Sequence, residues 1–399
     1  MPDPFDENIA SSAAHISKSA KSMQQHTISM ARAPVVAVLS TVKIGSSGLP
    51  IGKEAAIYKQ KFAMAKQYGI IMYLFHAHDF EYDTRSIKGY TYLLSRDNLG
   101  SWARKTFPFP DVVYNRIRSR KVEKQPRVMQ LLEYFESHPH VQFFNSRFLD
   151  KWDVYRTLLL DPVTAPLVPP SKLLSTQTLK ELLDEHSEVF IKPRASNAGK
   201  GIIKVIQKPG HSYSYSRSES NAPRWKKGIS YDRLCCRLQS LFQNHDNYIV
   251  QAGIDLGRVN GQVFDMRAQV QKDGHGQWVF TGISARIASQ DRFITFPHGV
   301  KQASAQKILD LISRGSESFK KSIKSQLASI YYLVPTVLER DLGLSLAILS
   351  IDIGIDTYGK VWLIEVSSKS DSFEENKIRD RHFRLLMEYF LYINSRNKD

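Results

Sequence analysis

Residues 190–205 read Phe-Ile-Lys-Pro-Arg-Ala-Ser-Asn-Ala-Gly-Lys-Gly-Ile-Ile-Lys-Val. An apolar run enters a small-residue loop that closes on Gly199-Lys200-Gly201, and a second apolar run follows. The pattern predicts strand, loop, strand. Glycine beside lysine suggests phosphate, yet the flanks exclude the two commonest cradles. A Walker loop needs Gly-x-x-x-x-Gly-Lys-Ser/Thr between a strand and a helix. Here Arg194 stands at the first glycine position, Gly201 stands at the Ser/Thr position, and a strand comes next. The dinucleotide fingerprint also requires a following helix. Two antiparallel strands whose loop folds over a triphosphate do fit, with loop N–H groups facing phosphate oxygens. Lys192, just before the loop, would then reach between phosphates. A glycine-containing hairpin with surface lysines reads equally well from these residues alone.

A second signal lies near the carboxyl end. Asp352 and Glu365 sit in apolar runs on either side of the turn Asp356-Thr357-Tyr358-Gly359. Each alternates with apolar neighbours, so the two can face the same side of a two-stranded ribbon. Carboxylates in an apolar setting are costly unless paired or bound to a cation, and hard oxygen ligands suit Mg²⁺ shared with phosphate. The competing reading is one surface acid and one salt-bridged acid. Between the two signals, Asp265-Met266-Arg267 lies on a predicted strand. A guanidinium there is placed to take a terminal phosphate bidentately.

The rest of the chain alternates elements. Residues 34–39, 51–68 and 69–75 read as strand, helix, strand, a βαβ unit. Residues 111–114 read as a further strand that runs into the basic segment Asn115-Arg116-Ile117-Arg118-Ser119-Arg120-Lys121. Ligands of open α/β sheets sit at such strand ends, although a solvated charged loop accounts for it as well. Helices are expected at 125–137, 150–160 with Asp150 as N-cap, 176–185, 231–242, 303–332 (one long helix or two) and 373–393. Asp273-Gly274-His275-Gly276 predicts a hairpin joining strands at 264–271 and 278–287. Residues 1–30 are expected to be a flexible tail and 209–229, rich in Ser, Tyr and Gly, an exposed loop. His298, in Phe296-Pro297-His298-Gly299, is read as a loop histidine.

Composition narrows the class. Of the 399 residues 42% are hydrophobic, enough for folded cores and more than one domain. The only cysteines, Cys235 and Cys236, are adjacent, so there is neither a disulfide framework nor a cysteine metal site, and a reducing compartment fits. No run is long and apolar enough for a membrane span. The net charge of +16 favours anionic partners. No nucleic-acid-binding module accompanies it, so nucleic acid is not the expected partner.

Taken together, the chain resembles the ATP-grasp superfamily, and within it the YheC/YheD group of endospore coat-associated proteins. The stretches that carry the resemblance are Tyr114-Asn115-Arg116-Ile117, Lys151-Trp152-Asp153-Val154-Tyr155, Phe190-Ile191-Lys192-Pro193 and Tyr248 to Asp255. Asp265-Met266-Arg267, Asp352 to Asp356 and Trp362 to Val366 complete them. The resemblance implies an α/β and α+β architecture. An amino-terminal α/β (pre-ATP-grasp) domain over 31–140 would precede an ATP-grasp domain of two subdomains over 141–395. It implies ATP and Mg²⁺ as cofactors. Lys151 and Lys192 would contact phosphate, and Ser196, Gly199, Lys200 and Gly201 would form the covering loop. Gln251, Ala252, Gly253 and Ile254 would lie beside adenine and ribose. Arg267 would meet the transferred phosphate, and Asp352, Glu365 and Ser367 would face the metal. Family enzymes form an acyl phosphate that an amine or thiol attacks. The implied activity is therefore a carboxylate–amine ligase linked to the spore coat or cell envelope, with coat proteins as partners and a cytoplasmic or forming-coat location. The alternative is a non-enzymatic coat or morphogenetic protein that keeps the fold. Ser367 departs from the pattern, since the family usually has Asn there, and Lys369-Ser370 stands where Lys-Pro is usual.

Overall fold

The computed structural model describes residues 32–83, 86–94, 100–196, 199–218, 223–289, 293, 295, 301–369, 373 and 375–396. They form two compact units. The first takes the described residues of Met1–Ser146, Lys272–Gln277 and Glu374–Asp399, and the second those of Arg147–Gln271 and Trp278–Phe373.

The first unit is built on one sheet. Its strands are β1 (Val35–Ser40), β2 (Ile71–Phe75), β3 (Ser86–Leu94), β4 (Gly100–Pro108), β5 (Val112–Arg116) and β6 (Gln142–Phe144), in the order β4-β3-β2-β1-β5-β6. The strands β2, β1, β5 and β6 run parallel, and β3 and β4 add an antiparallel hairpin at one edge. Every residue of β1 is buried, because both faces are covered. Val35, Ala37 and Leu39 pack with Val128, Leu131 and Phe135 of helix Pro126–Ser137. Helix Gly52–Gln67 packs on β2, and helix Asn376–Ser395 packs on that helix and on β5. The terminal helix was expected to close the ATP-grasp domain. Its buried Phe383, Leu386 and Phe390 instead pack with the first unit.

The second unit carries two sheets. The first comprises β7 (Ser171–Leu173), β8 (Glu188–Pro193), β9 (Ile203–Lys208), β10 (Ser212–Arg217), β11 (Lys226–Ile229) and β12 (Tyr248–Ala252), in the order β11-β10-β9-β8-β12-β7. Its residues alternate cleanly. Val189, Ile191, Ile203, Val205 and Val250 face a core completed by Leu179, Leu182 and Leu183 of helix Thr176–His186 and by Leu234. Phe190, Lys192, Lys204 and Gln251 take the other parity, which leaves that face for chemistry.

The expected loop at 209–229 contains β10 and β11. Its Ser-Tyr-Ser-Tyr-Ser run pairs along its whole length with β9, and Tyr213 and Tyr215 turn to the core. A turn-like composition concealed a two-residue alternation.

The other sheet comprises β13 (Arg258–Val259), β14 (Gln262–Lys272), β15 (Trp278–Ile287), β16 (Lys301–Ser304), β17 (Ile348–Ile355) and β18 (Val361–Ser367). Its order is β16-β15-β14-β17-β18, with β13 beside β14. The helical stretch expected over 303–332 as one long helix or two is two helices, Ala305–Ser313 and Glu317–Leu342, separated at Arg314-Gly315, both at positive φ. The longer helix covers the sheet, with Tyr331 stacked on Phe280 at 4.5 Å between ring centroids.

Helix Lys151–Leu160 begins where the sequence predicts. Asp150 Oδ1 accepts from Trp152 N at 2.8 Å and Asp153 N at 3.3 Å, and also from Arg194 Nε at 3.0 Å. The cap therefore fixes the helix start and ties it to the end of β8. Replacing Asp150 with Ala is expected to lower unfolding free energy by about 1–2 kcal/mol in denaturant titrations, and Asp150→Asn by less.

Candidate functional site

A cleft of about 960 Å³ opens in the second unit, lined by Lys192, Gln251, Arg286, Asp352 and Glu365 among others. Lys192 and Gln251 lie diagonally on the chemical face of the β8–β12 pair, where Ile249 is the register partner of Lys192 and Phe190 that of Gln251. Lys192 Nζ donates to Gln251 Oε1, and Gln251 Nε2 donates to Ser171 Oγ at 2.8 Å. Lys192 is only 7% exposed, and burial brings its pKa down to about 8, with Lys151 adding to the shift and Glu365 opposing it. Its ammonium lies 5.8 Å from the Phe190 ring centroid, so the amine is held between an amide and an aromatic face.

Lys151 arrives from the first turn of its helix. Its Nζ pairs with Glu365 Oε1 at 2.9 Å and donates to the Ser196 carbonyl at 2.7 Å. One side chain therefore links the β8–β9 loop to the acid of β18.

Across the other sheet, Arg267, Asp352 and Glu365 are successive register partners on β14, β17 and β18, with an irregularity in pairing just after Asp352. Arg267 Nε and Nη2 donate to the two Asp352 oxygens at 2.7 and 2.8 Å. Arg286 on β15 reaches Asp352 Oδ2 at 3.0 Å. It also binds Asp265 with two bonds of 2.6 Å. Burial pushes the Asp352 carboxyl up, but Arg267 and Arg286 outweigh it and hold the group well below the usual carboxylate range. Asp265 stands differently. Burial pushes its carboxyl up, and the bonds from Arg286 and Thr295 oppose that without cancelling it.

The remaining expected residues divide. Gly199, Ala252, Gly253 and Ile254 line the cleft. Gly253 has no room for a side chain, because an added Cβ would lie 2.6 Å from Glu188 Cγ and 2.9 Å from its carbonyl oxygen. Gly199 and Gly201 both take positive φ, which lets the loop reverse. Lys200 is exposed and lies off the cleft wall. Arg267 is also off the wall and spends its guanidinium on Asp352. Ser367 is half-buried outside the lining, and its Oγ accepts from Lys369 N at 3.3 Å. His298 lies outside the described residues.

Sequence reasoning missed Arg286 and the use made of Asp265. Asp265 and Arg267 are two residues apart on a strand whose opposite face is Phe264, Met266 and Ala268, all with 0% exposure. Two opposite charges on the polar parity of so buried a strand were the available signal. Their partner Arg286 comes from a different strand, and no spacing rule points to it.

Among the described residues no group of three or more His, Cys, Asp or Glu side chains could hold a metal ion unaided. Asp352 and Glu365 nevertheless suit a cation delivered with phosphates. A carboxylate has about four acceptor positions, and the bonds to Arg267, Arg286 and Lys151 leave some of them open on Asp352 and Glu365. Mg²⁺ needs only one or two carboxylates when phosphates and water complete its shell.

Residues 140–393 match the family model described as YheC/D like ATP-grasp. The chain belongs to this family. The matched stretch contains every residue lining the cleft. Two Bacillus subtilis (strain 168) proteins are similar to this YheC/D-like ATP-grasp protein. Endospore coat-associated protein YheD is 27% identical over 360 residues, covering 89% of this chain and 76% of the relative. Endospore coat-associated protein YheC is 22% identical over 344 residues, covering 82% and 88%. Among solved structures, D-alanyl-alanine synthetase A from Vibrio cholerae aligns with a TM-score of 0.49 at 12% identity, covering 92% of this chain and 98% of that one.

The Arg286–Asp265 pair gives a direct test of the network. Arg286→Met leaves Asp265 buried without its counter-ion, and unfolding free energy at pH 7 is expected to fall by about 3–5 kcal/mol. In the variant, folded Asp265 holds a proton that the unfolded chain has released, so stability is gained as pH falls. Chemical denaturation at pH 7 and pH 5 should show a smaller deficit at the lower pH.

Proposed function

We propose that this protein binds ATP with Mg²⁺ in the cleft of its second unit and acts as an ATP-dependent carboxylate–amine ligase. The observation that carries the reading is the convergence of Lys192, Gln251, Arg286, Asp352 and Glu365 on one cleft of about 960 Å³. Lys192 and Lys151 would neutralise the phosphates. The segment 251–254 would line the base and ribose, and the β8–β9 loop would cover the triphosphate and exclude water. Arg286, charged and pre-oriented by two carboxylates, would meet negative charge as it develops on the transferred phosphoryl group. Asp352 and Glu365 would hold Mg²⁺, which when bound polarises the phosphoryl oxygens. Arg267 would act through Asp352 by keeping that carboxylate ionised. The acyl phosphate formed from the substrate carboxylate would then be attacked by an amine, and no residue need become covalently modified. The names of the two Bacillus relatives support a place in spore coat assembly, with coat proteins as partners and the forming coat or its cytoplasmic side as location.

Calorimetry with a non-hydrolysable ATP analogue, with and without Mg²⁺, tests the binding step. The expected result is Mg²⁺-dependent binding that Lys192→Met weakens about 10–100-fold, the worth of a charge-assisted contact. No binding to wild type would sink the reading.

The Lys192 pKa of about 8 adds a second expectation. Above that pH the lysine must take up a proton before it can pair with phosphate. Affinity should fall about tenfold per pH unit there, and the slope should flatten in Lys192→Met.

The state of Ser367 favours a second reading, a coat protein that retains the site without turnover. Its short hydroxyl is bonded to the Lys369 backbone rather than facing the cleft. Phosphate release from ATP that begins only when pooled carboxylate and amine acceptors are added would support the ligase. Binding without release, with release gained in Ser367→Asn, would support the second reading.

A further inference from the structure

The first unit buries cations where its parallel strands end. β1 and β5 are parallel neighbours with Ser40 opposite Arg116 at their carboxyl ends. The chain proceeds from β1 to β2 on one side, while β5 lies on the other. This is the strand-order switch, where open α/β sheets leave a crevice for ligands. Lys61 points inward from helix Gly52–Gln67 at that end and is 3% exposed. Its ammonium lies 5.3 Å from the Tyr58 ring centroid and 5.1 Å from that of Phe383. No carboxylate of the described residues lies within ion-pair distance of it. Glu54, the acid that acts on Lys61 electrostatically, is 4.0 Å from Arg118. Arg116 is 6% exposed and His382 5%.

Two signs point to a missing partner. Burial, and then the neighbouring Arg116, bring the Lys61 pKa down to about 7. The Tyr58 hydroxyl is buried without a hydrogen-bond partner; Ser40 is near enough to act on it but lies outside bonding geometry. Buried polar groups are ordinarily bonded and buried charges paired. An anion would supply both deficits at once. His382, kept neutral by burial and by the Lys61 and Arg116 charges, adds no competing charge of its own.

We propose that the first unit binds a small oxyanion, a carboxylate or phosphoryl group, at the carboxyl ends of β1 and β5, held by Lys61, Tyr58 and Arg116. Arg118 marks the solvent side, since its side chain is exposed while its N–H donates to Thr41 Oγ1 at 3.3 Å. Cations and apolar groups are excluded by the same charges. The proposal stands independently of nucleotide binding in the other unit.

Titration of the full chain with acetate and with inorganic phosphate at pH 8, in two buffers of different ionisation enthalpy, tests it. Acetate does not titrate near that pH, so its proton count is clean. Binding is expected to draw most of a proton onto Lys61, whose burial lowers its pKa. Lys61→Met should abolish both the binding and the proton uptake, whereas Lys192→Met, altered in the other unit, should keep both. Tyr58→Phe removes only the orphaned hydroxyl and should weaken the anion about 5-fold, which keeps the test intact if Lys61→Met does not fold. Tighter phosphate would identify a phosphoryl ligand, and tighter acetate a carboxylate. The proposal is overturned if neither anion binds at tens of millimolar, or if Tyr58→Phe binds as wild type does. It is also overturned if binding survives Lys61→Met and vanishes in Lys192→Met.

Discussion

Asp352 is the joint on which the second unit's chemistry turns. Its carboxylate receives Arg267 from one neighbouring strand and Arg286 from the strand beyond, and its register partner on the other side is Glu365. Both arginines and Asp265 are thereby locked into a formally balanced set of two carboxylates and two guanidiniums. A buried carboxylate next to so much apolar surface persists only because its counter-ions are rigidly placed. Once they are, the cleft wall holds fixed charges that need no rearrangement when a charged ligand arrives.

The β8–β12 pair reaches a similar end by a different route. A two-residue period sends Val189, Ile191 and Val250 into the core and sends Phe190, Lys192 and Gln251 the other way. Core packing therefore sets the position of the lysine, because slipping the register by one residue would bury Lys192 among leucines. The amide of Gln251 then holds the amine from across the pair, and Ser171 on β7 holds the amide. Three strands contribute one residue each to a short polar chain inside a largely apolar sheet.

Much of this was legible in the sequence, and the exceptions share a cause. Alternation and a glycine-bearing turn sufficed to bring the strands of Asp352 and Glu365 together. The register set by the turn, Ile353 on Leu363, would put Asp352 on Ile364, and only the irregularity after Asp352, which no pattern announces, places it opposite Glu365. The same logic placed Lys192 ahead of its loop and Asp150 at a helix start. The meeting of Lys151 with Glu365 was not legible from spacing, because a helix start and a strand far along the chain are brought together only by tertiary packing. Arg286 escaped for the same reason. The strands at 212–217 and 226–229 were hidden differently. Serine, tyrosine and glycine have a turn-like composition, and only pairing with β9 shows the alternation to be structural. Lys61 carries no mark in the sequence, since an inward lysine on a helix looks like any other lysine until its neighbours are known.

The terminal helix has a bearing on how the protein is made. Helix Asn376–Ser395 packs on helix Gly52–Gln67 and on β5, yet more than two hundred residues of the second unit intervene in the chain. A ribosome delivers the first unit's sheet early and one of its walls last. Through most of translation the nascent sheet lacks the cover that Phe383, Leu386 and Phe390 supply, while the whole of the second unit is released before that cover arrives. The sheet and one of its covering helices thus flank the second unit in the sequence, and the first unit cannot complete its packing until the second has been synthesised.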